Sequence, residues 1–287
     1  MKRTKALLLL GSILLGLGLS SCGVHKPLPA PTPIKQIPLP SNPSPAFTQW
    51  TRPTGDSIRE EMRAVWLTTV YGLDWPRDKA DTPDGVRRQK ESLIRILDRL
   101  QADGYNTVFL QLRHSGTVIY SSDYEPLSTR FAGEGFFGDY DPVRFAIEAC
   151  HERGLSLHAW FVTYPLSSSK RYPHPILSDH PGWAIPHKGS HHLDPGNPEV
   201  RTYIAHLATD LVRRYPVDGI HFDYFRYPEG AEHFMDGGSY ARYGEGFSSK
   251  ADWRRNNLTL QLREVRDSLQ HLGAHTLREA AQDRRSR

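Results

Sequence analysis

Val217-Asp218-Gly219-Ile220-His221-Phe222-Asp223-Tyr224-Phe225-Arg226-Tyr227-Pro228 is the stretch that decides how this chain folds. It begins apolar and tight, like a buried strand, and ends dense in ionisable and aromatic groups. Strand alternation puts Ile220 and Phe222 on one side and His221 and Asp223 on the other. Pro228 then stops any ladder. A parallel strand ending in His, Asp, Tyr and Arg reads as the rim of an α/β site, because ligands in such folds bind beyond the carboxyl ends of strands. The plainer alternative is a buried strand whose polar end is simply solvated.

Working back from this strand, three more of the same kind come into view. Glu61–Thr69 (EMRAVWLTT) predicts a first strand, Asn106–Arg113 (NTVFLQLR) a second and Leu155–Phe161 (LSLHAWF) a third. Helices fall between them. Gln89–Leu100 carries Leu93, Ile94, Ile96, Leu97 and Leu100 on one face. Asp141-Pro142 and Asn197-Pro198 each read as a cap followed by a first-turn proline. The first opens a helix with Phe145, Ala146, Ala149 and Cys150 inward, the second one with Val200, Ile204, Leu207 and Leu211 inward. Long loops are expected at Ser115–Tyr140 and Val162–Asp194, and Leu193-Asp194-Pro195-Gly196 predicts a tight turn. Alternating strands and helices mean a parallel sheet. Long loops after strands and short ones after helices favour an α/β fold of the (β/α)8 TIM-barrel type, with its working face at the strand carboxyl ends. A doubly wound sheet is the alternative, but the chain has no GxGxxG or Walker sequence to support a nucleotide.

At 287 residues the chain can bury a substantial core. Its net charge of +4 is mild and is partly made by the Arg-rich last dozen residues, so it gives no argument for nucleic acid, and none is expected as a partner. The 6 Trp and 13 Tyr offer flat faces for sugars, although aromatic side chains are core material first. Two cysteines, Cys22 and Cys150, allow neither a disulfide framework nor a zinc pattern. At the amino terminus, basic Met1–Lys5 precedes an apolar run from Ala6 to Leu19, too short to span a membrane comfortably. Leu19-Ser20-Ser21-Cys22-Gly23 then resembles a bacterial lipoprotein box. That resemblance implies a signal peptide over 1–21, lipidation at Cys22 and a cell-envelope location. Gly23, where an Asp would stand otherwise, favours the outer membrane. Residues 22–59 are expected to form a proline-rich tether, extended at roughly 3 Å per residue, and 60–287 the barrel domain.

The pieces EMRAVWLTT, YNTVFLQLRHSGTVIYSSDYEPLS, YDPVRFAIEACHERGLSLHAWF, HLDPGNPEVRTYI and VDGIHFDYFRYP, in that order, resemble the glycoside hydrolase-like family 10 proteins of bacterial envelopes. The resemblance implies a barrel glycosidase that hydrolyses O-glycosyl bonds of a polysaccharide, with glycan or peptidoglycan strands as the partner and no cofactor. Glycoside hydrolysis ordinarily uses two carboxyl groups flanking an oxocarbenium-like transition state. Asp223 is the best-placed carboxylate, with His221 beside it as the second catalytic residue. Asp218, at the opposite end of the strand, reads as a structural turn residue. Arg63, Trp66, Gln111, Arg113, His158, Trp160, Asp194, Tyr224 and Arg226 are expected to line the substrate pocket. Arg63 and Arg113 could equally be barrel salt bridges, and Trp160 core. The second carboxylate is open among Asp194, Glu125 and Glu229.

Only four strand-like runs are visible, whereas a full barrel needs about 250 residues. The stretch after Pro228 predicts a Gly/Tyr-rich loop and one helix, Asp252–Leu272. The expectation is therefore an amino-terminal half of the barrel, about four βα units, with an uncovered sheet edge. Two other functions stay open. One is a non-catalytic, glycan-binding remnant. The other is a metal-dependent deacetylase or amidase built on His158, Asp194, His221 and Asp223, whose two histidines form no tight HxH or HxxxH pair.

Overall fold

The computed structural model describes residues 61–133, 135–167 and 173–285, with side chains in the last helix described as far as residue 273. The signal-peptide, lipidation and tether readings for 1–59 lie outside these residues.

Strand β1 (Ala64–Leu67) leads through a loop into helix α1 (Pro83–Ala102). Thr82 caps α1 by accepting from the Gly85 N–H, and Pro83 sits in its first turn. The helix therefore starts several residues before the apolar stripe that betrays it in the sequence. Strand β2 (Thr107–His114) follows and is folded back on by the short β3 (Thr117–Val118). One turn of helix, α2 (Thr129–Ala132), precedes α3 (Pro142–His151). Asp141 caps α3 through the Val143 and Arg144 N–H groups, as the sequence predicts. Strand β4 (Ser156–Val162) comes next. The loop after it is not irregular: it holds β5 (Pro165–Leu166), α4 (Ile176–Asp179), β6 (Ala184–His187) and β7 (Ser190–Leu193). These strands form a small antiparallel sheet in the order β5-β7-β6. Helix α5 (Pro198–Arg214) then leads to β8 (Gly219–Asp223), and α6 (Gly237–Tyr243) and α7 (Lys250–Arg285) close the series.

The main sheet runs β1-β2-β4-β8, every pair parallel and every strand beside the next in sequence. A doubly wound sheet reverses its strand order at a switch point, and a barrel does not. The four βα units are thus of the (β/α)8 TIM-barrel type. Each of β1 and β8 has a single strand partner within this row among the described residues.

Alternation gives the sheet two unlike faces. Val108, Leu110, Leu112, Leu157, Ala159 and Phe161 join Leu93, Leu97, Ile147, Ile204, Leu207 and Leu211 of the helices in one core. Cys150 lies in it as a small hydrophobe, its thiol pushed up to about 12 chiefly by burial. Trp253 of α7 is buried against the Asp194–Gly196 turn, where a side chain at Gly196 would come within 2.3 Å of the indole. No helix among the described residues is long and apolar enough to cross a membrane.

Candidate active site

The opposite, concave face carries the polar and aromatic residues. Register aligns Trp66, Phe109, His158 and Gly219 in one row across the four strands, and Gln111, Trp160 and His221 in the next. Asp223 ends the last strand, level with Val162. In the first row Trp66 stacks on Phe109 at 4.7 Å and 19°. Phe109 in turn meets His158 at 5.1 Å and His221 at 5.0 Å. Gly219 is required here because a Cβ would fall 2.6 Å from His158 Nδ1. Burial holds the His158 imidazole below its usual range, the nearby His221 pushes the same way, and Asp218 opposes them.

At the strand ends the face becomes a carboxylate site. Trp160 Nε1–H donates to Asp223 Oδ2 at 3.1 Å, and the Tyr224 N–H donates to Oδ1 at 2.6 Å. The Asp223 carbonyl accepts from Thr163 N–H at 2.9 Å, which ties the rim of β8 to the end of β4. Tyr224 has φ +49°, a conformation that side chains rarely adopt, and the turn sends its ring outward, 49% exposed. The Arg226 guanidinium lies 5.1 Å from the centre of that ring and pairs with Glu229 at 3.2 Å.

Of the residues read from the sequence, Trp66, His158, Trp160, His221 and Asp223 share the concave face, with Tyr224 and Arg226 at its lip. Four others offer it no free group. Arg63 precedes β1, at the amino end of the sheet, where its Nε donates to the Gly104 carbonyl at 2.6 Å and its N–H to Asn106 at 2.9 Å. Gln111 is 2% exposed and faces inward, but its side-chain oxygen accepts from Thr68 Oγ1, Thr69 N and Val70 N at 2.8 to 3.1 Å. It holds the loop after β1. Arg113 should share the side of Gln111 by alternation. A register irregularity after Gln111 sets it level with Phe161 instead, on the core side. There its side chain is fully buried with that of Glu125, and it donates to the Val162 and Thr163 carbonyls. Asp194, 1% exposed, accepts from Gly196 N–H at 2.8 Å and from Ser239 and serves the turn; burial raises its carboxyl, partly offset by those bonds.

These placements also bear on the second carboxylate. Glu125 is spent on Arg113 and on the Tyr203 hydroxyl at 2.9 Å, Asp194 on its turn, and Glu229 is exposed on Arg226. Asp218 accepts from the Leu157 N–H at 2.7 Å and stands 2.8 Å from His151, the structural role read from the sequence. Nor do His158, Asp194, His221 and Asp223 form one ligand set, and no group of three His, Cys, Asp or Glu among the described residues could share an ion. Sequence reasoning missed Phe109, the floor of the face, because it sits in an unbroken apolar run; its spacing of two from Gln111 was the available signal.

A singly wound parallel βα sheet with an aromatic floor and a carboxylate at its carboxyl rim defines a barrel-type protein whose site lies at the strand ends. The Glycosyl hydrolase-like 10 family model matches residues 61–272, and the chain belongs to that family. Glycosyl hydrolase DigH of Escherichia coli is 34% identical over 279 residues, covering 91% of this chain and 61% of its own. Glycosyl hydrolase YngK of Bacillus subtilis is 33% identical over 218 residues, covering 73% and 42%. The chain thus spans 61% or less of these relatives' lengths. A solved alpha-L-fucosidase isoenzyme from Paenibacillus thiaminolyticus aligns over 72% of this chain and 30% of that one at 16% identity, with a TM-score of 0.48.

Proposed function

We propose that this chain is part of a cell-envelope glycoside hydrolase, lipid-anchored through Cys22 and held at the outer membrane by its proline-rich tether, that cleaves O-glycosidic bonds of peptidoglycan glycan strands. One observation carries this reading: Asp223 stands at the carboxyl rim of an aromatic concave face with both oxygens engaged as acceptors. A carboxylate so held acts as base or nucleophile, leaving proton donation to the leaving oxygen to another group. Trp66 and Phe109 supply the flat floor on which a sugar ring packs, and His221 lies between that floor and Asp223.

The test is release of reducing ends from peptide-free glycan strands by the chain and by Asp223→Asn. Release that survives the substitution at full rate removes Asp223 from the chemistry. A second reading has its own support: Glu125 and Asp194, two of the carboxylates expected to partner Asp223, are buried in bonds of their own, and Glu229 is paired with Arg226. On that reading the chain binds glycan without turnover: strands bind in a titration, and the same assay shows no product.

A further inference from the structure

Helix α5 packs its apolar side into the core on the outer face of the sheet, so its exposed side lies away from the concave site. Beside the first half of α5, between the loops that follow β2 and β4, a cleft of about 650 Å³ is lined by Tyr124, Asp179, Trp183, Glu199, Tyr203 and His206 among others, none of them a residue of the concave face. Its wall is a run of rings. Trp183 stacks on His180 at 3.8 Å and 12° and lies 5.4 Å from Tyr203. Tyr124 stands 6.4 Å from Tyr203 and 6.2 Å from His206. The polar tips of these two rings are already engaged, Trp183 Nε1–H by Glu199 of the same lining at 2.7 Å and the Tyr203 hydroxyl by Glu125 at 2.9 Å. What they contribute to the cleft is ring surface. Tyr124 is different: it is 43% exposed, edge-on to Tyr203 and tilted against His206.

The polar lining is mainly acidic, although Asp123 is paired with Arg214 at 2.5 Å. Asp123, Asp179 and Glu199 are exposed carboxylates, and neither lysine nor arginine is among the described residues that line the cleft. Phosphates and acidic sugars are disfavoured by that charge. A neutral pyranose suits it, because its C–H face packs on a ring while its hydroxyls donate to carboxylates around the edge. The size falls within the range of small-molecule sites.

We propose that this cleft is a second glycan-binding site, taking uncharged sugar units of a strand apart from the concave face. It would hold a polymer to the protein while another stretch meets Asp223. The inference rests on the reading of the chain as glycan-acting.

The test is calorimetric titration of the full chain, carrying Asp223→Asn to stop cleavage, with a soluble chito-oligosaccharide and with peptide-free glycan strands. The double variant Tyr124→Ala/His206→Ala removes two exposed rings; Trp66→Ala does the same on the concave face. Glycan strands should bind about 10-fold more weakly to the cleft variant, with the loss from Trp66→Ala adding independently. Affinity unchanged by the cleft variant, or no binding of either probe, overturns the second site. Thermal melting checks folding. If the double variant fails to fold, Thr202→Arg, which obstructs the cleft from an exposed position, must weaken strand binding similarly, and unchanged affinity there overturns the proposal. Reducing-end release with Asp223 intact is scored separately, so hydrolysis stands or falls on its own readout.

Discussion

Trp160 reaches across from β4 to place its indole N–H 3.1 Å from Oδ2 of Asp223, the last residue of β8. The two residues are not level in the sheet: Trp160 pairs with His221, and Asp223 with Val162. The bond therefore runs diagonally over His221 and fixes the carboxylate of a strand that has a single partner among the described residues. Trp160→Phe keeps the ring and deletes the donor. Hydrogen bonds to charged groups are worth about 1.5–3 kcal/mol. If Asp223 acts in glycan cleavage, kcat should fall about 10- to 100-fold, with KM changing little. Initial rates of reducing-end release would show it. An unchanged kcat would mean that the bond does not position the reacting carboxylate.

The repeating units were legible because each declares itself locally. Asp141-Pro142 and Asn197-Pro198 cap the helices they announce, and the apolar runs lead to polar strand ends at the rim. What was not legible depends on partners distant in sequence. Arg113 fails as a rim residue through one irregularity in β2, and nothing in NTVFLQLR marks it. Asp194 looks available until Ser239, far along the chain, is seen to bind it. The small antiparallel sheet hides in a histidine- and proline-rich stretch whose strands are only two to four residues long, too short for alternation to register. Sequence pattern reports which face a residue occupies if the strand is regular. It does not report whether that residue is already engaged.

Gly219 offers a test of the concave face itself. A methyl group there would meet the His158 ring at 2.6 to 2.7 Å, and that ring is already set edge-on to Phe109. Gly219→Ala should destabilise the fold by about 1–3 kcal/mol, the usual cost of overpacking. Adding His158→Ala removes the obstruction, so the double variant should recover part of the loss. Additive losses in thermal melts would mean that the two positions do not compete for the same space.

Arg113 and Glu125 form a fully buried pair that joins β2, the carbonyls at the end of β4, and Tyr203 on α5. Removing one partner strands the other charge in the core. Arg113→Met should therefore cost about 3–5 kcal/mol in urea unfolding. Arg113→Met/Glu125→Leu takes both charges away and should cost clearly less than the two single changes together. Equal or greater loss in the double variant would show that the pair's bonds to carbonyls and to Tyr203, rather than charge balance, hold this region.

His192 gives the chain a pH dependence whose sign can be worked out in advance. It is 6% exposed, between Tyr164 and Phe234 in the small sheet, with Nδ1 2.8 Å from the Leu193 carbonyl. Burial lowers its pKa from 6.5 to about 4, against the hydrogen bond to that carbonyl, which favours the charged form. Below pH 6.5 the unfolded chain takes up a proton that the native state refuses until about pH 4. Stability from this group is thus complete above the unfolded pKa and is lost as pH falls toward the folded one, by about 3 kcal/mol in all. His192→Phe has nothing to protonate. Urea midpoints measured from neutral pH down to the folded pKa should fall less steeply for the variant than for the wild type, because other groups titrate alike in both. Parallel curves would mean that His192 takes up its proton in the native state as readily as in the unfolded chain, through an opening of the small sheet over Tyr164 and Phe234.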